Sequence, residues 1–182
     1  MSSNSPNLPR REPFFDEPAG ASGPARRLLA LLLAQDGSTT RLCETIAGGP
    51  VTLQVNRQAP TADVPELVRR HLPGTSFIER ITSLVAHGEV MMDNLAYVAL
   101  DGLQPALQRD LEAGQMPIGH LLARLWVRRE AVSDTGALHE HLWRVVGVPD
   151  AAATRAYRIV TPDGPRMLIV ETYRRGMRMG QS

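Results

Sequence analysis

Two charged residues interrupt apolar, strand-patterned stretches, and both are of types that handle carboxylates or protons. Along residues 76–86 successive side chains alternate between faces, so Ile78, Arg80, Thr82 and Leu84 share one face and Phe77, Glu79, Ile81, Ser83 and Val85 the other. Arg80 therefore stands among apolar neighbours. An arginine so placed either packs its stem and keeps its head in water, or turns its planar fork toward a carboxylate. In Met167-Leu168-Ile169-Val170-Glu171-Thr172-Tyr173, Glu171 shares a face with Met167, Ile169 and Tyr173. If that face is core, a carboxylate is buried, which without a partner is costly and raises its pKa. A structural ion pair or an edge position is one reading. A carboxyl group poised for proton transfer or for hydrogen bonding to a substrate is the other. Arg158, next to Tyr157, is either a solvated cross-strand charge or a group facing the same cavity.

The remaining chemistry-bearing residues are weaker signals. His139-Glu140-His141 places two histidines at i, i+2, which diverge on a helix, and no carboxylate cluster accompanies them, so no metal is expected. His120 falls near a helix end, and Cys43 reads as a small core residue. Ser38 lacks a nucleophile-elbow context, and Gly48-Gly49-Pro50 is a turn rather than a phosphate loop. All 20 basic residues among the 182 are arginine, which removes Schiff-base and P-loop lysine chemistry. A net charge of +1 argues against nucleic-acid or polybasic membrane partners. One cysteine excludes an internal disulfide framework or a thiolate zinc cluster. Aromatics are 4%, so the core must be mostly aliphatic. Arg69, Arg70, Arg128 and Arg174 are expected on solvated faces.

The elements that must position Arg80 and Glu171 follow from periodicity. Residues 1–24, rich in Ser, Pro, Asn and Gly, read as a disordered arm. The apolar run Leu28–Ala34 reads as a first core helix rather than a signal segment, since an acidic arm precedes it, and a cytoplasmic protein is expected. Thr39-Thr40-Arg41-Leu42 leads toward the Gly48-Gly49-Pro50 turn, and Val51, Leu53 and Val55 alternate as a strand. Helices are expected at 62–72, 103–113 and from Pro117 to about 131, and a loop with a short helix at 133–153. Residues 76–86 and 90–100 form one hairpin about His87-Gly88-Glu89, and 155–161 and 166–174 another about Pro162-Asp163-Gly164-Pro165. Residues 176–182 read as a flexible tail. The sum is a single α+β domain over 25–175 built on an antiparallel sheet.

Taken in order, these pieces resemble the chorismate lyase family, in its shorter actinobacterial form. The resemblance rests on Leu33-Ala34-Gln35-Asp36-Gly37-Ser38-Thr39-Thr40-Arg41, Val51-Thr52-Leu53-Gln54-Val55, and Ile78-Glu79-Arg80-Ile81 running into Gly88-Glu89. It continues in Met116-Pro117-Ile118-Gly119, Tyr157-Arg158 and Ile169-Val170-Glu171-Thr172-Tyr173. It implies a six-stranded antiparallel sheet with helices enclosing an internal site, and loss of pyruvate from chorismate to leave 4-hydroxybenzoate, without metal or organic cofactor. It puts the ring-carboxylate arginine at Arg80, the site glutamate at Glu171 and backbone contacts at Ile118 and Gly119, with Thr39 beside them. The ubiquinone-pathway members carry a second site arginine where this chain reads Leu95. Arg158 or Arg41 are then the candidates for the second anionic contact. A monomer or small homo-oligomer is expected. A second reading is a non-catalytic sensor of small aromatic acids, as in the effector domains of some bacterial regulators; the short arm leaves no room for a winged-helix DNA reader. A third is a lyase acting on a related chorismate derivative.

Overall fold

Period-2 patterning and β-branched residues yield six strands: β1 (Thr52–Thr61), β2 (Phe77–Ala86), β3 (Glu89–Ala99), β4 (Arg128–Ala131), β5 (Thr154–Thr161) and β6 (Gly164–Tyr173). They form one open sheet in the order β1-β2-β3-β6-β5-β4, with every pairing antiparallel. The helices are α1 (Gly23–Ala34), α2 (Thr39–Ala47), α3 (Glu66–His71), α4 (Pro105–Ala113), α5 (Ile118–Leu122) and α6 (Gly136–Val146). The computed structural model describes residues 8–16, 23–123 and 125–179. The expected α+β domain with a six-stranded antiparallel sheet is what is observed. No helix among the described residues is long and apolar enough to cross a membrane.

Each face of the sheet has its own core. On one, Phe77, Ile81, Leu95, Tyr97, Leu168 and Val170 pack against Val68 of α3 and Leu138 and Leu142 of α6. On the other, Ile78, Ala96, Tyr157, Ile159, Met167 and Ile169 meet Leu111 of α4 and Leu121 and Leu122 of α5. Leu84, Met92 and Tyr173 extend that second face under Leu32 of α1 and Cys43 of α2. Arg80 and Glu171 project to the second face.

Several elements depart from the sequence expectation. Thr39–Ala47 is a helix, not a lead-in to a turn: the Ser38 hydroxyl accepts from the Arg41 N–H at its start, and Gly48 ends it in a left-handed conformation at φ 70°. The helix expected to reach residue 131 stops at Leu122, and Arg128–Ala131 becomes an edge strand on β5. That pairing is tertiary, so local helix propensity does not reveal it. Residues 8–16, expected in a disordered arm, lie against the domain. Arg10 exchanges backbone hydrogen bonds with Gly88 and Val90, and Phe14 is fully buried. The expected tail forms a 3-10 turn at Arg175–Arg178 that buries Met177. The rest of the expected arm and tail, residues 1–7, 17–22 and 180–182, lies outside the described residues.

Leu95 is a matter of register. It pairs with Ile81 and Val170 and so belongs to the face away from Glu171. The β2–β3 ladder slips between Leu84 and Val85, which puts Leu95 opposite Ile81 rather than opposite Arg80. The β3 residues on the Glu171 face are Asn94, opposite Thr82 and Glu171, and Ala96, opposite Arg80 and Ile169.

Candidate functional site

A cavity of about 30 Å³ lies between the second face of the sheet and the α2–α5 layer. The sheet contributes Thr82, Asn94, Arg129, Tyr157 and Glu171, and the covering layer contributes Thr39, Thr40, Ile118 and Gly119. Gly119 is where the two covering helices touch, because a Cβ there would collide with the Thr40 side chain. Its small size lets α5 approach α2 closely and narrows the cavity between them.

Glu171 is 3% exposed, yet it is fully partnered. Arg155 holds Oε2 with Nε at 2.9 Å and Nη2 at 2.8 Å. The Thr39 hydroxyl donates to the same oxygen at 3.0 Å, and the Tyr157 hydroxyl donates to Oε1 at 2.8 Å. Arg155 is itself fixed: Nη1 donates to the carbonyls of Leu33 and Gln35, and its guanidinium lies 5.1 Å over the Tyr157 ring and 5.5 Å over Tyr173. Burial works against the Arg155 charge, but Glu171, with smaller contributions from Tyr173 and Tyr157, outweighs it and holds the pKa up. Burial, followed by the Glu171 charge, pushes the Tyr157 and Tyr173 hydroxyls well above the ordinary tyrosine range. The same two causes, with Glu44 adding to them, push up the Cys43 thiol, which makes it a poor nucleophile.

Arg80 is the opposite case. It is 0% exposed, and no carboxylate pairs with it among the described residues. Its Nη2 donates to the carbonyls of Gly114 at 3.0 Å and Met116 at 2.9 Å, while Nε and Nη1 have no partner. Burial pulls its pKa down. Asn94 Oδ1 and Arg129 Nε are likewise buried and unpartnered.

Of the residues singled out by sequence, Glu171, Thr39, Ile118 and Gly119 line the cavity together. Arg80 is on the same face, one step along β2 from the lining residue Thr82. Arg158 is not brought there. It lies opposite Leu168, on the α3/α6 face, and its guanidinium is spent on Glu130 at 2.7 Å. Arg41 is exposed on α2. Arg155, Arg129 and Asn94 went unrecognised in the sequence. Arg155 was within reach, because it shares a strand face with Tyr157 two residues on. His139 and His141 diverge to separate partners, Thr135 and Glu79, and no group of three or more potential metal ligands occurs among the described residues.

No protein-family model matches the chain, and no curated protein does. Solved structures resemble it distantly. One is a Staphylococcus aureus gene product, with TM-score 0.44 and 11% identity, covering 70% of this chain and 85% of that one. Another is the C-terminal domain of the histidine utilization repressor from Pseudomonas syringae, with TM-score 0.44 and 11% identity over 68% and 91% of the two chains. A third is the ligand-binding domain of a candidate GntR-family transcriptional regulator from Bordetella bronchiseptica, with TM-score 0.43 and 14% identity over 69% and 83%.

Proposed function

We propose that the cavity binds a small ring compound carrying a carboxylate. The observation behind this reading is Arg80, a fully buried guanidinium without a counter-ion among the described residues and with two unpartnered nitrogens, Nε and Nη1. A buried cation in that state is costly to the fold, and a bidentate carboxylate offsets the cost. The cavity, at about 30 Å³, is far smaller than a ring ligand needs, so binding needs the α4–α5 connection and α5 to yield. That movement also frees Arg80 Nη2 from the Gly114 and Met116 carbonyls.

The second reading makes the ligand chorismate and the protein a lyase. Two things favour it: the sequence resemblance, and the placement of its two implied residues on one sheet face. Arg80 and Glu171 stand on strands separated by β3 and are offset by one rung. That is about 10 Å across the sheet and about 7 Å along it, room for one ring between two long side chains. In the reaction the ring–oxygen bond to the enolpyruvyl group breaks. A ring proton is lost and ends on the methylene carbon of the departing group, and the ring becomes aromatic. The step is downhill, so orientation contributes most. Glu171 accepts from Arg155, Thr39 and Tyr157, and this arrangement suits positioning rather than proton donation.

One experiment separates the readings. The purified protein is incubated with chorismate, pyruvate and aromatic products are followed by chromatography, and 4-hydroxybenzoate binding is measured by calorimetry. Pyruvate with 4-hydroxybenzoate supports the lyase. A differently substituted aromatic product supports a related lyase. Binding without turnover supports the non-catalytic sensor. No turnover and no binding overturns the reading of the cavity.

A further inference from the structure

We propose that Arg129, on edge strand β4, supplies a second anion contact in this cavity, so that the preferred ligand carries two negative groups rather than one. The inference rests on the ligand-binding reading above and extends it to a residue that neither composition nor resemblance indicated.

The placement comes first. Arg129 pairs with Ile159 across the β4–β5 ladder, so its side chain is on the face of Ile159 and Tyr157. It lines the cavity with Glu171, Tyr157 and Thr39. Its head is anchored from behind: Nη1 donates to the Asp36 carbonyl at 2.8 Å, and the guanidinium carbon lies 5.8 Å from the Tyr157 ring centroid. Its Nε is buried with no partner, and no carboxylate pairs with it among the described residues.

The charges around the cavity then decide the ligand class. Arg155 and Glu171 cancel each other. Arg80 and Arg129 remain, both without a counter-ion among the described residues, and both hold N–H groups that solvent does not reach. Two uncompensated arginines, Arg129 lining the cavity and Arg80 one step along β2 from the lining residue Thr82, favour a dianion over a monoanion. They stand at opposite ends of the face, Arg80 on β2 and Arg129 on the far edge, with the Glu171–Tyr157 pair between them in the sheet order. Asn94 Oδ1, also unpartnered, is a hydrogen-bond acceptor on the floor between them and suits a ring hydroxyl. Arg158 and Arg41 do not compete for the role, since the first is held by Glu130 and the second is exposed.

The test uses two unreactive probes that differ only in the second carboxylate, 3-(carboxymethoxy)benzoate and 3-methoxybenzoate, titrated calorimetrically into the full chain. The wild type should prefer the diacid. Arg129→Met should cut diacid affinity by about 30-fold or more and leave the monoacid within about threefold. Arg80→Met should weaken both. If Arg129→Met fails to fold by thermal melting, Arg129→Lys keeps the charge, loses the fork, and should lose about tenfold of the diacid preference. A wild type without diacid preference, or a preference that survives the Arg129 substitutions, overturns the role of Arg129 while leaving the cavity reading intact. Failure of the wild type to bind either probe overturns both.

Discussion

Among the described residues each face of the sheet buries one arginine completely, and the two are partnered differently. On the α3/α6 face, Arg174 is 0% exposed, not solvated as its position after β6 suggests. Its Nε meets Asp93 Oδ2 at 2.6 Å and its Nη2 donates to the Val148 carbonyl at 2.7 Å. Asp93 Oδ1 takes the Ser83 hydroxyl at 2.6 Å and Arg11 Nε at 3.1 Å, and Arg11 also donates to Ser83 at 3.0 Å. The Nη1 of Arg174 is left without a partner. This network closes on itself and ties the N-terminal segment to the sheet. On the α2/α5 face, Arg80 has two carbonyls and no anion. The first arginine is spent on the fold, and the second is the one proposed above to meet a ligand carboxylate. Burial alone did not tell them apart; the partner did.

The contrast breaks most visibly at Asp93. Asp93→Ala leaves Arg174 as a buried cation without its counter-ion, and it should cost about 3–5 kcal/mol in urea unfolding. Arg80→Met removes a cation that already lacks one. Its stability should stay within about 1 kcal/mol of wild type or rise, while carboxylate binding is lost. If Arg80→Met destabilises as much as Asp93→Ala, the two arginines are doing the same work and the comparison fails.

Glu171→Gln sharpens it, because the Arg155–Glu171 pair has features of both regions. It is closed like the Arg174 network, yet it lines the cavity. The substitution keeps the shape and removes the counter-charge of Arg155, so it should cost about 3 kcal/mol, somewhat less than Asp93→Ala, because Arg155 is 11% exposed and Arg174 0%. Near-wild-type turnover of chorismate by a folded Glu171→Gln protein would exclude a general-acid role and leave positioning.

Gly119→Ala probes the closure of α5 over the cavity. The added methyl meets Thr40, so α5 must shift, at about 1–3 kcal/mol. Thermal unfolding reads the stability and calorimetry the affinity. The expected outcome is a larger loss of affinity than of stability, since only the covering layer moves. Equal losses would mean that α5 belongs to the core and not to the cover.

How far the sequence carried the site depends on which interactions are local. Arg80 and Glu171 were legible because a charge inside a period-2 apolar strand is conspicuous whatever surrounds it. Arg129 was not, because Leu121, Leu122, Leu125 and Trp126 extend a helical pattern across it, and β4 exists only through its pairing with β5. That Leu95 faces away from Glu171 reflects one slip in the β2–β3 register, a backbone event that leaves no compositional mark. The N-terminal arm has a disordered composition, yet Phe14 and the Arg11–Asp93 contact hold its 8–16 segment. Five of the six strands, all but β4, and their order of appearance were readable from pattern. Which arginine met which carboxylate was not, since that depends on contacts between elements remote in sequence.

The smallest expected effect is one of pH, and it falls on the α3/α6 face. His139 in α6 is half-buried, with Nε2 2.8 Å from the Thr135 hydroxyl and its ring 5.8 Å from Trp143. Burial holds its pKa below the usual histidine value, and His71 at the end of α3 is also lowered, by burial first and then by Arg158 and Arg70. A histidine whose folded pKa is depressed binds protons more readily in the unfolded chain. Its contribution to stability is therefore complete above about pH 6.5, the unfolded value, and shrinks as pH falls through the folded one. The melting temperature should fall between pH 7.5 and 5, and His139→Gln should flatten part of that slope, with His71 accounting for a smaller share. Calorimetric scans of the two proteins across that range make the check. An unchanged slope in His139→Gln would move the acid sensitivity off α6, and with it the assignment of the titrating groups to the face that holds the fold together.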